Sequence, residues 1–208
     1  MAEQGEKSKS TADAILDAAI DRFVADGFDG TSMDSIALAA GVAKGTLYYH
    51  YKSKEGIVDA ALKRYTRRVE RVFKSIEADG SLGVMDRLIA MTSGTIQVNI
   101  ETFSKLHRMK GIDIHKRTND LILSCFTPYY ARAIAAGNAA GMWSAPDPER
   151  DAEILLAASL VLLDPEGGPA LMPARVAALI TLMERGFAMA PGTLAPVREA
   201  FMKMFSPA

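Results

Sequence analysis

Residues 36–47, IALAAGVAKGTL, place Ala37, Gly41 and Leu47 at the spacing of a helix-turn-helix. Each residue type has a mechanical reason. Ala37 is small enough for two helices to cross closely, Gly41 supplies the unusual backbone of the turn, and Leu47 anchors the second helix in a core. With Leu47 inward, Ala43, Lys44, His50 and Tyr51 flank it on a helical wheel, and the opposite arc carries Gly45, Thr46, Tyr48 and Tyr49. A core helix would not arrange itself this way. A small N-terminal end fits a major groove, Thr46 and the tyrosine hydroxyls suit phosphates or base edges, and Lys44 brings charge to the rim. The expectation is a surface that reads DNA.

The rest of the chain reads as all-α. Apolar residues recur at three and four, and no run alternates in the manner of a strand. Ser10 or Thr11 can cap a first helix whose stripe is Ile15, Ala19, Ile20, Phe23 and Val24, with Gly27-Phe28 as a left-handed stop and its hydrophobic clasp. Thr31 or Ser32 then caps a second helix from Met33 to about Ala39, with Asp34 placed to complete a capping box on Thr31. Ser53 caps a fourth, long helix with Ile57, Ala61, Leu62, Tyr65, Val69, Val72, Phe73 and Ile76 on one side. Further helices are expected from Ser81 past Ile100, over Lys116–Phe126, from Pro148 to Leu163, from Pro173 to about Met189, and after Pro196. Thr127-Pro128 either kinks its helix or caps the next.

Residues 15–62, ILDAAIDRFVADGFDGTSMDSIALAAGVAKGTLYYHYKSKEGIVDAAL, resemble the N-terminal domain of the TetR (tetracycline repressor-like) family of bacterial transcription regulators. The motif is specific: F-x(4)-G-[FY], T-[ST]-[MV]-x-x-IA, then AGV-x-x-GTLY-x-[HY]-[FY]-x-SKE. Tyr51 stands where Phe is usual, Lys52 where Pro is common, and Gly56 where a helix former is usual. The polar stretch MAEQGEKSKS, with no apolar core of a signal peptide, is expected to be a loose arm over residues 1–10. The resemblance implies a DNA-binding domain over 11–56 and a helical effector-binding and dimerisation domain over 57–208. It implies DNA contacts from Thr31, Ser32, Lys44, Gly45, Thr46, Tyr48, Tyr49 and His50. Lys54, at the N-terminus of the fourth helix, is implied to grip the DNA backbone.

One reading helix touches few bases, so specificity calls for two, about 34 Å apart on a two-fold axis. The resemblance therefore implies a homodimer on a palindromic operator. The pairing faces would be Ile154, Leu155, Ala158 and Leu162 on one helix, and Val176, Leu179, Ile180, Met183 and Phe187 on the other. An effector pocket is expected among Met91, Thr95, Phe103, His107, Met109, Cys125, Tyr129, Tyr130 and Trp143, a mixture that suits a small apolar or aromatic molecule. Repression relieved by such an effector is the expected activity.

Composition narrows the rivals. With one cysteine, Cys125, and three histidines, His50, His107 and His115, no metal-ligand or nucleophile–base spacing is present, so neither an enzyme nor a cofactor is expected. No run of about 20 uncharged apolar residues exists, so no membrane span is expected and the cytoplasm is the expected compartment. Net charge is -1, yet Ala43 to Lys74 holds nine bases against three acids, the clustering that phosphate binding requires.

Overall fold

The computed structural model describes residues 10–97, 114–162 and 169–205; the expected N-terminal arm lies almost wholly outside them. Among the described residues the α-helices are α1 (Thr11–Asp26), α2 (Met33–Ala39), α3 (Lys44–His50), α4 (Lys54–Ala78), α5 (Val84–Gln97), α6 (Ile114–Ala139), α7 (Pro148–Leu162), α8 (Met172–Gly186) and α9 (Ala195–Phe205). A short 3-10 turn, Pro169–Leu171, precedes α8. No strand occurs among the described residues, and none of their helices is long and apolar enough to cross a membrane. They fall into two compact units: residues 10–65 with 114–117, and the remainder, so that the division lies within α4 after Tyr65.

In the first unit α1 and the start of α4 supply most of the core. Ile15, Leu16, Ala19, Ile20 and Phe23 are buried, as are Ile57, Val58, Ala61 and Leu62. Arg64 of α4 reaches back to Asp13 at 3.2 Å and Asp17 at 2.6 Å on α1. The stop at Gly27 needs its glycine, since φ is 78°, although its ψ of 161° lies outside the left-handed helical region. The expected clasp forms all the same, with the Phe23 and Phe28 rings 5.3 Å apart.

The start of α2 differs from expectation in its partners. Ser32 is the cap, and its reciprocal partner is Ser35. Ser32 Oγ accepts from the Ser35 N–H at 3.0 Å and Ser35 Oγ accepts from the Ser32 N–H at 3.1 Å. Asp34 takes no part, because the residue three after the cap, not two, faces back toward it.

In the second unit Phe73 is fully buried, with the rings of Phe126, Tyr129 and Tyr130 at 5.3, 5.1 and 5.7 Å. Helix α6 continues through Pro128, so of the two expected outcomes Thr127-Pro128 does not cap a new helix. A proline inside a helix forfeits a hydrogen bond; Phe126 and Tyr129, close to it in sequence, are both buried. Helix α9 packs on α5 and α8. Glu184 fixes the chain entering α9: its buried carboxylate accepts the N–H of Leu194 at 2.8 Å and of Gly192 at 3.0 Å. Those two donors hold the carboxyl below its ordinary range. Helix α8 ends at Gly186, earlier than expected, since Ala188 takes φ 52°.

Candidate nucleic-acid interface

The turn between α2 and α3 is built as the spacing predicts. Gly41 has φ +66°, and the N–H of Val42 closes back on the Ala37 carbonyl at 3.0 Å. Ala37 is buried between the helices, and Leu47, fully buried, is the only buried residue of α3. Everything else on α3 is exposed or half-exposed. Tyr49 is 80% exposed and Tyr48 36%; Lys44, Gly45 and His50 are exposed and Thr46 is half-exposed. His50 thus departs from expectation, for the wheel put it on the flank of Leu47. Its ring instead meets Tyr49 edge-on at 5.1 Å. Tyr51 closes the helix half-buried, its hydroxyl donating to the Ala12 carbonyl at 3.4 Å, and burial raises that hydroxyl above the ordinary tyrosine range.

Gly45 has no reason internal to the fold. Its φ is not positive, and a Cβ placed on it would meet nothing within 4 Å. Glycine in a helix is about 1 kcal/mol worse than alanine, so this position is left bare at the expense of α3 itself. A bare backbone at a helix start is what a close-approaching surface needs.

Three cations lie on or beside α3. The Lys44 ammonium pairs with the Asp34 carboxylate at 2.8 and 2.9 Å, a contact that raises the lysine above its usual range. Lys52 donates to the Tyr48 carbonyl at 2.8 Å, at the C-terminal end of α3. Lys54 donates to the Phe28 carbonyl at 2.6 Å and sits 4.5 Å from the Phe28 ring centre. The lysine expected to grip DNA is therefore also the brace of the loop before α2. Thr31 is a clear correction. It is 2% exposed, and its hydroxyl donates to the Gly27 carbonyl at 2.7 Å, so it knits the loop together and is withdrawn from the surface. Ser32 remains exposed, its hydroxyl engaged as the cap.

The expected effector residues are scattered by the fold. Tyr129 and Tyr130 meet at Phe73, and Cys125 is half-buried on the same helix. Met91 is buried on α5. Trp143 does not join them: it is buried against Gly137, and its indole N–H donates to the Ile134 carbonyl at 2.9 Å. It is a structural plug. Thr95, Phe103, His107 and Met109 lie outside the residues whose side chains are described. Among the described residues no group of His, Cys, Asp and Glu is placed to hold a metal.

The expected pairing faces divide. Val176, Leu179, Ile180 and Phe187 are buried within the chain itself, so they are core and are unavailable to a partner. Met183, Leu155 and Ala158 are half-exposed, while Ile154 is 65% and Leu162 38% exposed. The apolar residues that α8 turns outward are others: Ala178 and Leu182 follow Leu171 at helical spacing, and Leu182 is 64% exposed.

Comparison with known proteins agrees with this geometry. The sequence profile of the bacterial regulatory proteins of the tetR family matches residues 15–61. A curated relative, the uncharacterized HTH-type transcriptional regulator TtgW of Pseudomonas putida, is 30% identical over 118 residues, which are 53% of this chain and 85% of that protein. The chain belongs to the TetR family. Its relatives are transcriptional regulators and not enzymes, and the helix-turn-helix formed by α2 and α3 is its DNA-binding element. The negative transcriptional regulator of the biofilm operon, IcaR of Staphylococcus aureus, is 43% identical over 51 residues, 24% of this chain and only 27% of IcaR. Likeness to that repressor is thus confined to a short segment. In fold, the chain is similar to SmeT, solved as a complex with triclosan: TM-score 0.69, 20% identity, covering 89% of this chain and 94% of that one.

Proposed function

We propose that this regulator is a cytoplasmic repressor, binding a palindromic operator as a homodimer and released by a small apolar or aromatic effector. The observation that carries the reading is α3 itself: a helix with one buried residue, a bare glycine near its start and two tyrosines turned outward. Gly45 and Thr46 enter the groove, Tyr48, Tyr49 and His50 meet its walls, Ser32 stands over a phosphate, and Lys44 and Lys54 neutralise the backbone. Repression is supported by the likeness to IcaR, and a small effector by the bound triclosan in the SmeT structure. The aromatic cluster of Tyr129 and Tyr130 around Phe73, with Cys125 on the same helix as the tyrosines and Met91 in the same unit, supports such a site. Effector binding favours a state in which the two reading helices no longer match successive grooves, and a coupling of about 1–3 kcal/mol weakens operator binding roughly 5- to 150-fold.

Tyr48→Ala tests the face directly. Its side chain is outward, so the thermal midpoint stays near that of the wild type while operator affinity falls by about 1–3 kcal/mol. Fluorescence anisotropy on the duplex that the wild type enriches from a random pool reads the effect. Unchanged affinity removes Tyr48 from the interface.

A further inference from the structure

The three cations around α3 are engaged in different ways. Lys52 and Lys54 each donate to a neutral carbonyl, of Tyr48 and Phe28, whereas Lys44 faces a full negative charge, the Asp34 carboxylate in the first turn of α2. Both members of that pair are well exposed, at 63% and 64% of their side chains. Nothing in the packing requires the pair, since a surface ion pair contributes little to stability. Its position is telling: Lys44 is the first residue of α3, beside the bare Gly45.

We propose that Asp34 acts as a counter-ion gate on Lys44, suppressing attachment to DNA of the wrong sequence. The inference rests on the reading of α3 as the DNA-contacting helix. Attachment to arbitrary duplex draws its strength from lysines and arginines that displace condensed counter-ions from phosphates. A lysine already neutralised by its own protein adds nothing to that term, and a phosphate reaching Lys44 must also approach Asp34. On the operator, base contacts from α3 fix the helix in the groove, so the local gain from Lys44 matters less there. Asp34 therefore widens the ratio between correct and incorrect sites more than it lowers affinity for the correct one.

Asp34→Asn keeps the size of the side chain and removes its charge. Dissociation constants are measured across a salt series, on a mixed-sequence duplex and on the duplex that the wild type enriches. The variant binds the mixed-sequence duplex about three- to tenfold more tightly near 0.1 M salt, with a salt slope steeper by about one. The ratio between the two duplexes narrows, and Asp34→Glu restores the wild-type slope. A merely structural Asp34 would shift the melting midpoint and leave the slope alone. An unchanged slope, or weaker binding to mixed-sequence duplex, overturns the gate while leaving α3 as the contact helix. A wild type that binds no duplex at any salt overturns both.

Discussion

Gly137→Ala is expected to destabilise the second unit by about 3 kcal/mol or more. A Cβ on Gly137 would fall 1.8 Å from the Trp143 ring, inside the indole itself, and the ring is buried on that side. Helix α6 has no room to give way there, because its own backbone carries both the glycine and the Ile134 carbonyl that holds the indole N–H. The tryptophan must swing out. Leaving the core exposes one of the largest apolar surfaces in the unit and breaks its hydrogen bond. The turn it leaves behind is pinned by Asn138, whose amide bonds both the N–H and the carbonyl of Ala145 at 2.8 Å, so the strain passes into the connection before α7. Trp143 is the only tryptophan of the chain, which makes the check direct. Emission shifts to longer wavelength and the denaturant midpoint falls together. The double variant Gly137→Ala/Trp143→Ala is less than additive, because the clash is gone once the ring is removed. Full additivity would show that the two residues do not meet.

Leu182→Glu is expected to act on assembly with little effect on the fold. No described side chain of α7 from Glu153 to Leu162 is buried, although Ile154, Leu155, Leu156, Ala157 and Ala158 form an almost continuous apolar run. Leu182 on α8, 64% exposed, adds to that uncovered surface. Two helices of this composition facing water are where the proposed homodimer is expected to pair. A glutamate at the seam is left charged in an apolar surrounding, so the dimer separates while each chain, whose own core uses Val176, Leu179 and Ile180, keeps its melting midpoint. Operator affinity then falls about 10²- to 10⁴-fold, since each chain binds its half-site without the help of the other. Light scattering at micromolar concentration reads the assembly. A variant that remains dimeric puts the seam elsewhere.

The turn at Gly41 and the anchor at Leu47 were legible because a helix-turn-helix is local: the contacts lie within a dozen residues, and only glycine suits the turn. The outward face of α3 followed from the same wheel, His50 excepted, since its exposure depends on where the chain goes after Tyr51. The cap positions of Thr31 and Ser32 are equivalent in sequence, and only the path of the Gly27 loop decides which hydroxyl turns inward. Helix α8 is apolar on two sides. Periodicity identifies both sides but does not say which meets the chain's own core; Val176 and Leu179, expected at a partner, are internal. Trp143 is a related case: an amphipathic ring suits a ligand pocket or a groove over a glycine equally well, and Gly137 decides only once the turn at Gly141, with φ +67°, folds the chain back.

The exposed side of α3, presented twice by the proposed dimer, is expected to read duplex sequence. Selection of bound duplexes from a random pool by the wild type, followed by mass measurement of the complex, tests it most directly. The expected result is enrichment of an inverted repeat whose half-site centres lie about one helical turn apart, or a multiple of it, holding a whole number of chain pairs. Enrichment of no sequence, or a single chain on an unrepeated site, would contradict it.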